Sequence, residues 1–184
     1  MPAETYPRAV STPRPNDAPS LSSRRGVAIL ILLCLVQFMD VLDASILNIA
    51  LPSIKRDLGF TQESLQWVVN GYIITYGGFL LLGGRVADLL GRCRVLVPGL
   101  VVFAGASLVG GLAHTESLLV GARFVQGMGA AILSPAALST LTTIFRSGRE
   151  RNTALGAWAA VSGLGGAAGV LFGGVEGAAL QGLG

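Results

Sequence analysis

Charge is scarce in this sequence: of its 184 residues only 12% are charged, 52% are hydrophobic and the mean hydropathy is +0.66. A soluble domain carries roughly 25% charged residues, so the chain is read as an integral membrane protein. Cysteine is almost absent. Cys34 falls in an apolar run and Cys93 in a basic stretch, which argues against a disulfide framework. The single histidine, His114, offers no metal site by itself, and no metal ligand set is expected. No Gly-x-x-x-x-Gly-Lys-Ser/Thr loop occurs, so nothing points to ATP hydrolysis, and no nucleophile and base are paired as an enzyme would require. The net charge of +3 and the pI of about 9.3 could suit nucleic acid, but the bases sit at the ends of apolar runs and not in a patch with interleaved aromatics. No nucleic-acid partner is expected.

Apolar runs fill most of the remainder. Residues 1–25 are rich in Pro, Ser and Arg without apolar periodicity and read as a disordered cytoplasmic tail. The run that follows is too long for the core of a signal peptide. Five spans are expected: Val27–Leu51, Leu65–Leu82, Val95–Leu112, Leu118–Phe145 and Thr153–Val175. Together they form a transmembrane domain over 26–176, and 177–184 reads as a truncated tail. Short positively charged loops stay on the cytoplasmic side. Arg8, Arg14, Arg24 and Arg25 precede span one, Arg85, Arg92 and Arg94 separate spans two and three, and Arg146, Arg149 and Arg151 separate spans four and five. The other face has Lys55 and Arg56, so a multi-pass protein of the cell membrane with its N-terminus inside is expected.

Three ionisable groups, Asp40, Asp43 and Arg123, lie within the spans. Each costs about 2.5 to 3.5 kcal/mol at the centre of a spanning helix even on the gentlest insertion scale, so each is expected to face a partner or a polar pathway. Asp40 and Asp43 are one helical turn apart and share a face. Two buried acids that repel when both are ionised suit reversible proton binding; the bland alternative is a lone acid solvated in a water-filled cavity. Arg123 could instead snorkel toward headgroups. At 1.5 Å per residue, however, Asp43 lies roughly 12 Å and Arg123 about 8 Å below the outer ends of their spans, depths similar enough to pair.

Four motifs add specificity. The stretch Gly84-Arg85-Val86-Ala87-Asp88-Leu89-Leu90-Gly91-Arg92-Cys93-Arg94 is read as an inside loop with glycines that permit a tight turn and Asp88 four residues before Arg92. It resembles the Gly-x-x-x-Asp-x-x-Gly-Arg-x-Arg signature of the major facilitator superfamily, apart from Leu89, where a base usually follows the acid. Leu42-Asp43-Ala44-Ser45-Ile46-Leu47-Asn48-Ile49-Ala50-Leu51-Pro52 resembles the Leu-Asp-x-Thr-x-x-Asn-x-Ala-Leu-Pro signature of the fourteen-span drug:proton antiporters within it, with Ser45 in place of Thr. Arg123-Phe124-Val125-Gln126-Gly127-Met128-Gly129-Ala130-Ala131 resembles that family's Arg-x-x-Gln-Gly-x-Gly-Ala-Ala. Gly165-Gly166-Ala167-Ala168-Gly169-Val170-Leu171-Phe172-Gly173-Gly174 is similar to its Gly-x-x-x-Gly-Pro-x-x-Gly-Gly, with Val170 replacing the proline and so weakening the kink. Ala44–Ala50 also resembles Ala130–Ala136, as inverted three-helix repeats would require, although chance similarity explains this as well.

The resemblance implies an all-α membrane protein whose five helices make up most of the N-terminal half of a major facilitator fold. It implies proton-coupled efflux of drugs or other small hydrophobic molecules, powered by the proton gradient without a cofactor. Asp43, Asp40 and Arg123 would couple the proton, and Asn48 and Gln126 would line the substrate pathway. Gly84, Asp88, Gly91, Arg92 and Arg94 would form a cytoplasmic gate, and Gly165, Gly169, Gly173 and Gly174 a close-packing seam. The partners implied are a small-molecule substrate, the lipid bilayer and the remainder of a larger transporter. The competing expectation is a non-transporting membrane fragment, or an interaction partner that packs through its glycine-rich helices.

Overall fold

In the computed structural model, residues 20–145 and 148–181 are described, and among them all regular structure is helical. Five helices follow one another: α1 Arg24–Leu58, α2 Gln62–Leu90, α3 Arg92–Gly111, α4 Glu116–Ile144 and α5 Gly148–Gln181. All five are long and apolar enough to cross a membrane. Arg8, Arg14 and Arg146 lie outside the described residues, as does most of the expected N-terminal tail.

Each helix starts before its expected span, and α1, α2 and α5 also end beyond it, because backbone hydrogen bonding continues through the flanking residues. Helix α1 starts at Arg24, inside the expected tail, and runs seven residues beyond the expected end at Leu51. Pro52 is therefore within the helix and not at its end. Helix α5 likewise continues past Val175 to Gln181, through part of the expected tail 177–184. The largest correction concerns the stretch 84–94, which is not a loop. Gly84–Leu90 completes α2 and Arg92 opens α3, leaving Gly91 as the sole non-helical residue between them.

The other ends follow from local chemistry. Ser23, Thr61 and Thr115 cap α1, α2 and α4, each side-chain oxygen accepting from a backbone N–H three residues on, at 3.0, 3.1 and 3.4 Å. Gly59 ends α1 at φ 64°, ψ 27°, the left-handed conformation that a Cβ disfavours. Gly91 turns between two helices at φ 93°, ψ 126°, which is still less accessible to other residues. Gly91→Ala is expected to cost about 1–3 kcal/mol, read as a lower unfolding midpoint in detergent. Gly84→Ala, where a Cβ would meet nothing within 4 Å, should leave the midpoint nearly unchanged.

Helix α4 is the centre of the bundle. Its most apolar window is 56% buried, against 17–28% for the other helices. It packs chiefly on α2 and α3, while α1 packs on α5 and touches α4 and α2 more lightly. Small residues make this possible: Gly127, Gly129, Ala130, Ala131, Ala136 and Ala137 are all buried on α4, so neighbouring backbones can approach closely. Large side chains such as Ile73, Leu81, Val101 and Leu171 point outward. That apolar exterior suits lipid and would be a liability in water.

Candidate functional site

The site begins on α1, where Asp40 and Asp43 stand one turn apart, and on α4, where Arg123 and Gln126 do the same. Nη1 of Arg123 donates to Oδ2 of Asp43 at 2.6 Å and to Oε1 of Gln126 at 2.9 Å. The side chains of Arg123 and Asp43 are 8% and 18% exposed, so this is a mostly buried ion pair. An arginine donates only, which forces the carbonyl oxygen of Gln126 toward it. The buried Nε2 of Gln126 makes no hydrogen bond among the described residues.

Asp40 has a different partner. The hydroxyl of Tyr72 on α2 donates to its Oδ1 at 2.8 Å, and the Tyr72 ring stacks on Tyr76 with centroids 5.8 Å apart. The two acids therefore share a helix face but face separate neighbours.

Two cavities flank the ion pair. One of about 320 Å³ lies between α1, α3 and α4, bordered by Asp43, Ser107, Arg123 and Gln126 together with apolar residues. The other, about 140 Å³, lies between α1, α2 and α4 and is bordered by Asp43, Asn48, Tyr72 and Arg123. Asn48 is exposed, and its Nδ2 donates to the Ala44 carbonyl at 2.8 Å, so its amide serves its own helix while edging the cavity. A third cavity, about 450 Å³, opens between the facing ends of α1 and α2 beside Lys55, Gln62 and Gln66. It meets the second at Val69 but does not reach the ion pair.

At the other end of the bundle, Asp88 and Arg92 form an exposed pair at 3.5 Å, a geometry worth little by itself. Arg92 does more across the bundle: its Nη1 donates to the Ser139 carbonyl at 3.0 Å and to the Thr143 hydroxyl, tying the α2–α3 junction to α4. Gly84 and Arg94 are not brought into this cluster; Gly84 meets open space and Arg94 is exposed.

On α5, a Cβ at Gly165 would lie 3.2 Å from the Phe38 carbonyl oxygen, and one at Gly169 would strike the Ser45 side chain. These glycines let α5 lie directly on the stretch of α1 that carries both acids. The packing of Gly173 and Gly174 lies outside the described residues.

Sequence reasoning missed three residues. Tyr72 is the partner of Asp40, and its only signal was a tyrosine pair spaced i, i+4 in an apolar span. Thr75, buried next to it, donates to the Gly71 carbonyl at 2.8 Å. Glu116, on the first turn of α4, accepts from the Thr61 N–H at 3.0 Å and the Ser64 hydroxyl at 2.6 Å, fastening the starts of α2 and α4 together.

A bundle of membrane-crossing helices with a buried acid–arginine pair between cavities is what a transport pathway requires, and comparison with known proteins decides the family. The sequence profile of the Major Facilitator Superfamily matches residues 33–180. The chain belongs to that superfamily. It is thus a multi-pass membrane protein from a family of transporters, not of enzymes. Over 146 residues, 79% of the chain, it is 50% identical to a cephamycin export protein of Amycolatopsis lactamdurans. Over the same length it is 48% identical to a puromycin resistance protein of Streptomyces alboniger. It is 36% identical over 154 residues, 84% of the chain, to a methylenomycin A resistance protein of Bacillus subtilis. The matched region spans 30%, 29% and 33% of these relatives respectively.

Proposed function

We propose that this chain supplies the proton-coupling helices of an exporter for drugs or other small hydrophobic molecules. The observation that carries the proposal is the 2.6 Å pair of Arg123 and Asp43, mostly buried and bordered by a cavity on either side. Export and resistance functions named for three similar proteins support the direction of transport.

The pair can act as a switch because its two states differ in charge. With Asp43 ionised, Arg123 is neutralised and the site is closed on itself. A proton on Asp43 cancels the carboxylate charge and leaves Arg123 with Gln126 as its remaining partner, which frees both side chains to engage a substrate or yield to one. If substrate and proton each weaken the other's binding, the linkage is reciprocal and drives exchange. The placement of Arg24, Arg25, Arg85, Arg92, Arg94, Arg149 and Arg151, set against Lys55 and Arg56, supports a cytoplasmic N-terminus. Asp88 and Arg92 would then stand on the cytoplasmic side as part of a gate.

In vesicles containing the complete transporter, Asp43→Asn is expected to abolish uphill export driven by a proton gradient while leaving downhill exchange measurable. Persistence of proton-driven uphill export in that variant would overturn the assignment.

A further inference from the structure

The two acids have separate partners, yet a single residue lies between their environments. Tyr72 donates its hydroxyl hydrogen to Asp40 at 2.8 Å and also borders the 140 Å³ cavity that Asp43, Asn48 and Arg123 border. We infer that Tyr72 is a proton relay that joins Asp43 to Asp40 through this cavity. The inference rests on the proposed proton-coupling role of Asp43 and goes further, by giving the proton a route along α1 and assigning that route to a residue on α2.

The cavity meets the requirements for such a route. At ~30 Å³ per molecule it has room for about four waters, and although Ala44, Leu47, Val69 and Ile73 make much of its border apolar, Asp43, Asn48, Tyr72 and Arg123 supply the partners that a buried water needs. The step balances without any other reactant. A protonated Asp43 releases its proton to a water, which passes a proton to Oη of Tyr72 as Tyr72 gives its own hydrogen to Oδ1 of Asp40. At the water oxygen and at Oη of Tyr72 one O–H bond breaks as another forms, while Asp43 loses one O–H bond and Asp40 gains one. Tyr72 ends neutral, the water is regenerated, Asp40 is protonated, and Asp43 is left a carboxylate facing Arg123. Rotation of the Tyr72 hydroxyl resets the relay.

Among the described residues, the titratable and charged groups around this route are Asp40 and Asp43 on α1, Tyr76 on α2 and Arg123 on α4. Helix α5 meets this part of α1 with Gly165 and Gly169, and α3 borders the other side of the ion pair with Ser107, so neither adds a competing proton acceptor there. The stack on Tyr76 fixes the Tyr72 ring, which leaves the hydroxyl as the group free to turn.

The test uses the whole 184-residue chain in lipid nanodiscs, with the carboxyl infrared bands of Asp40 and Asp43 assigned by Asp40→Asn and Asp43→Asn. After a pH jump, Tyr72→Phe is expected to slow proton arrival at Asp40 on the order of tenfold or more, and to make that arrival rate insensitive to Asp43→Asn. Placing 3,5-difluorotyrosine at position 72 preserves the ring and its hydrogen bond but makes the hydroxyl more acidic, so it should change the transfer rate with no loss of helical structure. A role limited to holding Asp40 in place predicts no rate change with the fluorinated residue. Unchanged kinetics in both variants would overturn the relay and leave the Asp43 site intact. Absence of any carboxyl titration in the unsubstituted chain would instead overturn the proton-coupling reading, and the relay with it.

Discussion

Asp43→Ala is expected to destabilise the helical bundle by about 3–5 kcal/mol, the range found when one partner of a buried ion pair is removed and the other remains. The cost comes mainly from what is left behind. Arg123 is only 7% exposed, and its guanidinium would keep a single neutral partner, Gln126, at 2.9 Å. Charge is only partly solvated there, because α4 is the most buried helix of the bundle and the flanking cavities have room for few waters beside Arg123. Removing both charges should be far milder, since an apolar pair avoids desolvating either ion. A double-mutant cycle of Asp43→Ala and Arg123→Leu, read by reversible unfolding in mixed micelles, is therefore expected to show strong coupling, with the double variant more stable than Asp43→Ala alone. The alternative that Arg123 reaches the headgroups gives a different result. A snorkelling arginine is solvated independently of Asp43, so the single substitutions would add and Asp43→Ala would cost under about 1 kcal/mol.

How much of this was legible before the structure depended on whether the signal ran along the chain or between helices. Five spans could be read because hydropathy averages over some twenty residues, and an error of a few positions hardly changes the average. Their ends could not, since a helix at the membrane surface continues through charged residues as long as its backbone bonds are made. Gly84 and Gly91, with Arg85, Arg92 and Arg94 between two apolar runs, made 84–94 resemble a loop, although one glycine with a suitable φ suffices to separate α2 from α3. The first span was likewise expected to stop at Leu51, just before Pro52, yet α1 passes through that proline. The pairing of Asp43 with Arg123 was accessible from depth alone, because unpaired charges in hydrocarbon are few and costly. Tyr72 was not accessible, because a tyrosine in an apolar span has no comparable penalty to reveal its partner. The same holds for Arg92 and the Ser139 carbonyl, since nothing in the sequence says which backbone oxygen an arginine reaches across the bundle.

The contact between α2 and α4 should be the most sensitive to added volume. Gly127 lies at a close approach of these helices, and a Cβ there would stand 2.5 Å from the Tyr72 carbonyl oxygen and would also strike the Thr75 hydroxyl. Overpacking normally costs about 1–3 kcal/mol because flexible side chains can move aside. Here the obstacle is backbone, and Thr75 is held by its own bond to Gly71 at 2.8 Å, so the helices themselves must part. Gly127→Val is accordingly expected to cost at least about 3 kcal/mol. The damage should also spread to the site, since Arg123 is one turn away on α4 and Tyr72 is the residue pushed on α2. Loss of the infrared signature of the Tyr72–Asp40 hydrogen bond should accompany the drop in stability. Gly77→Ala is the control: it adds volume to a helical glycine on α2, the facing helix, where a Cβ meets nothing within 4 Å. Helix propensity alone would favour that alanine by up to about 1 kcal/mol. If the two substitutions gave unfolding midpoints that could not be distinguished, close backbone packing at Gly127 could not be what joins α2 to α4. The support of Tyr72 and Arg123 would then have to come from side-chain contacts alone.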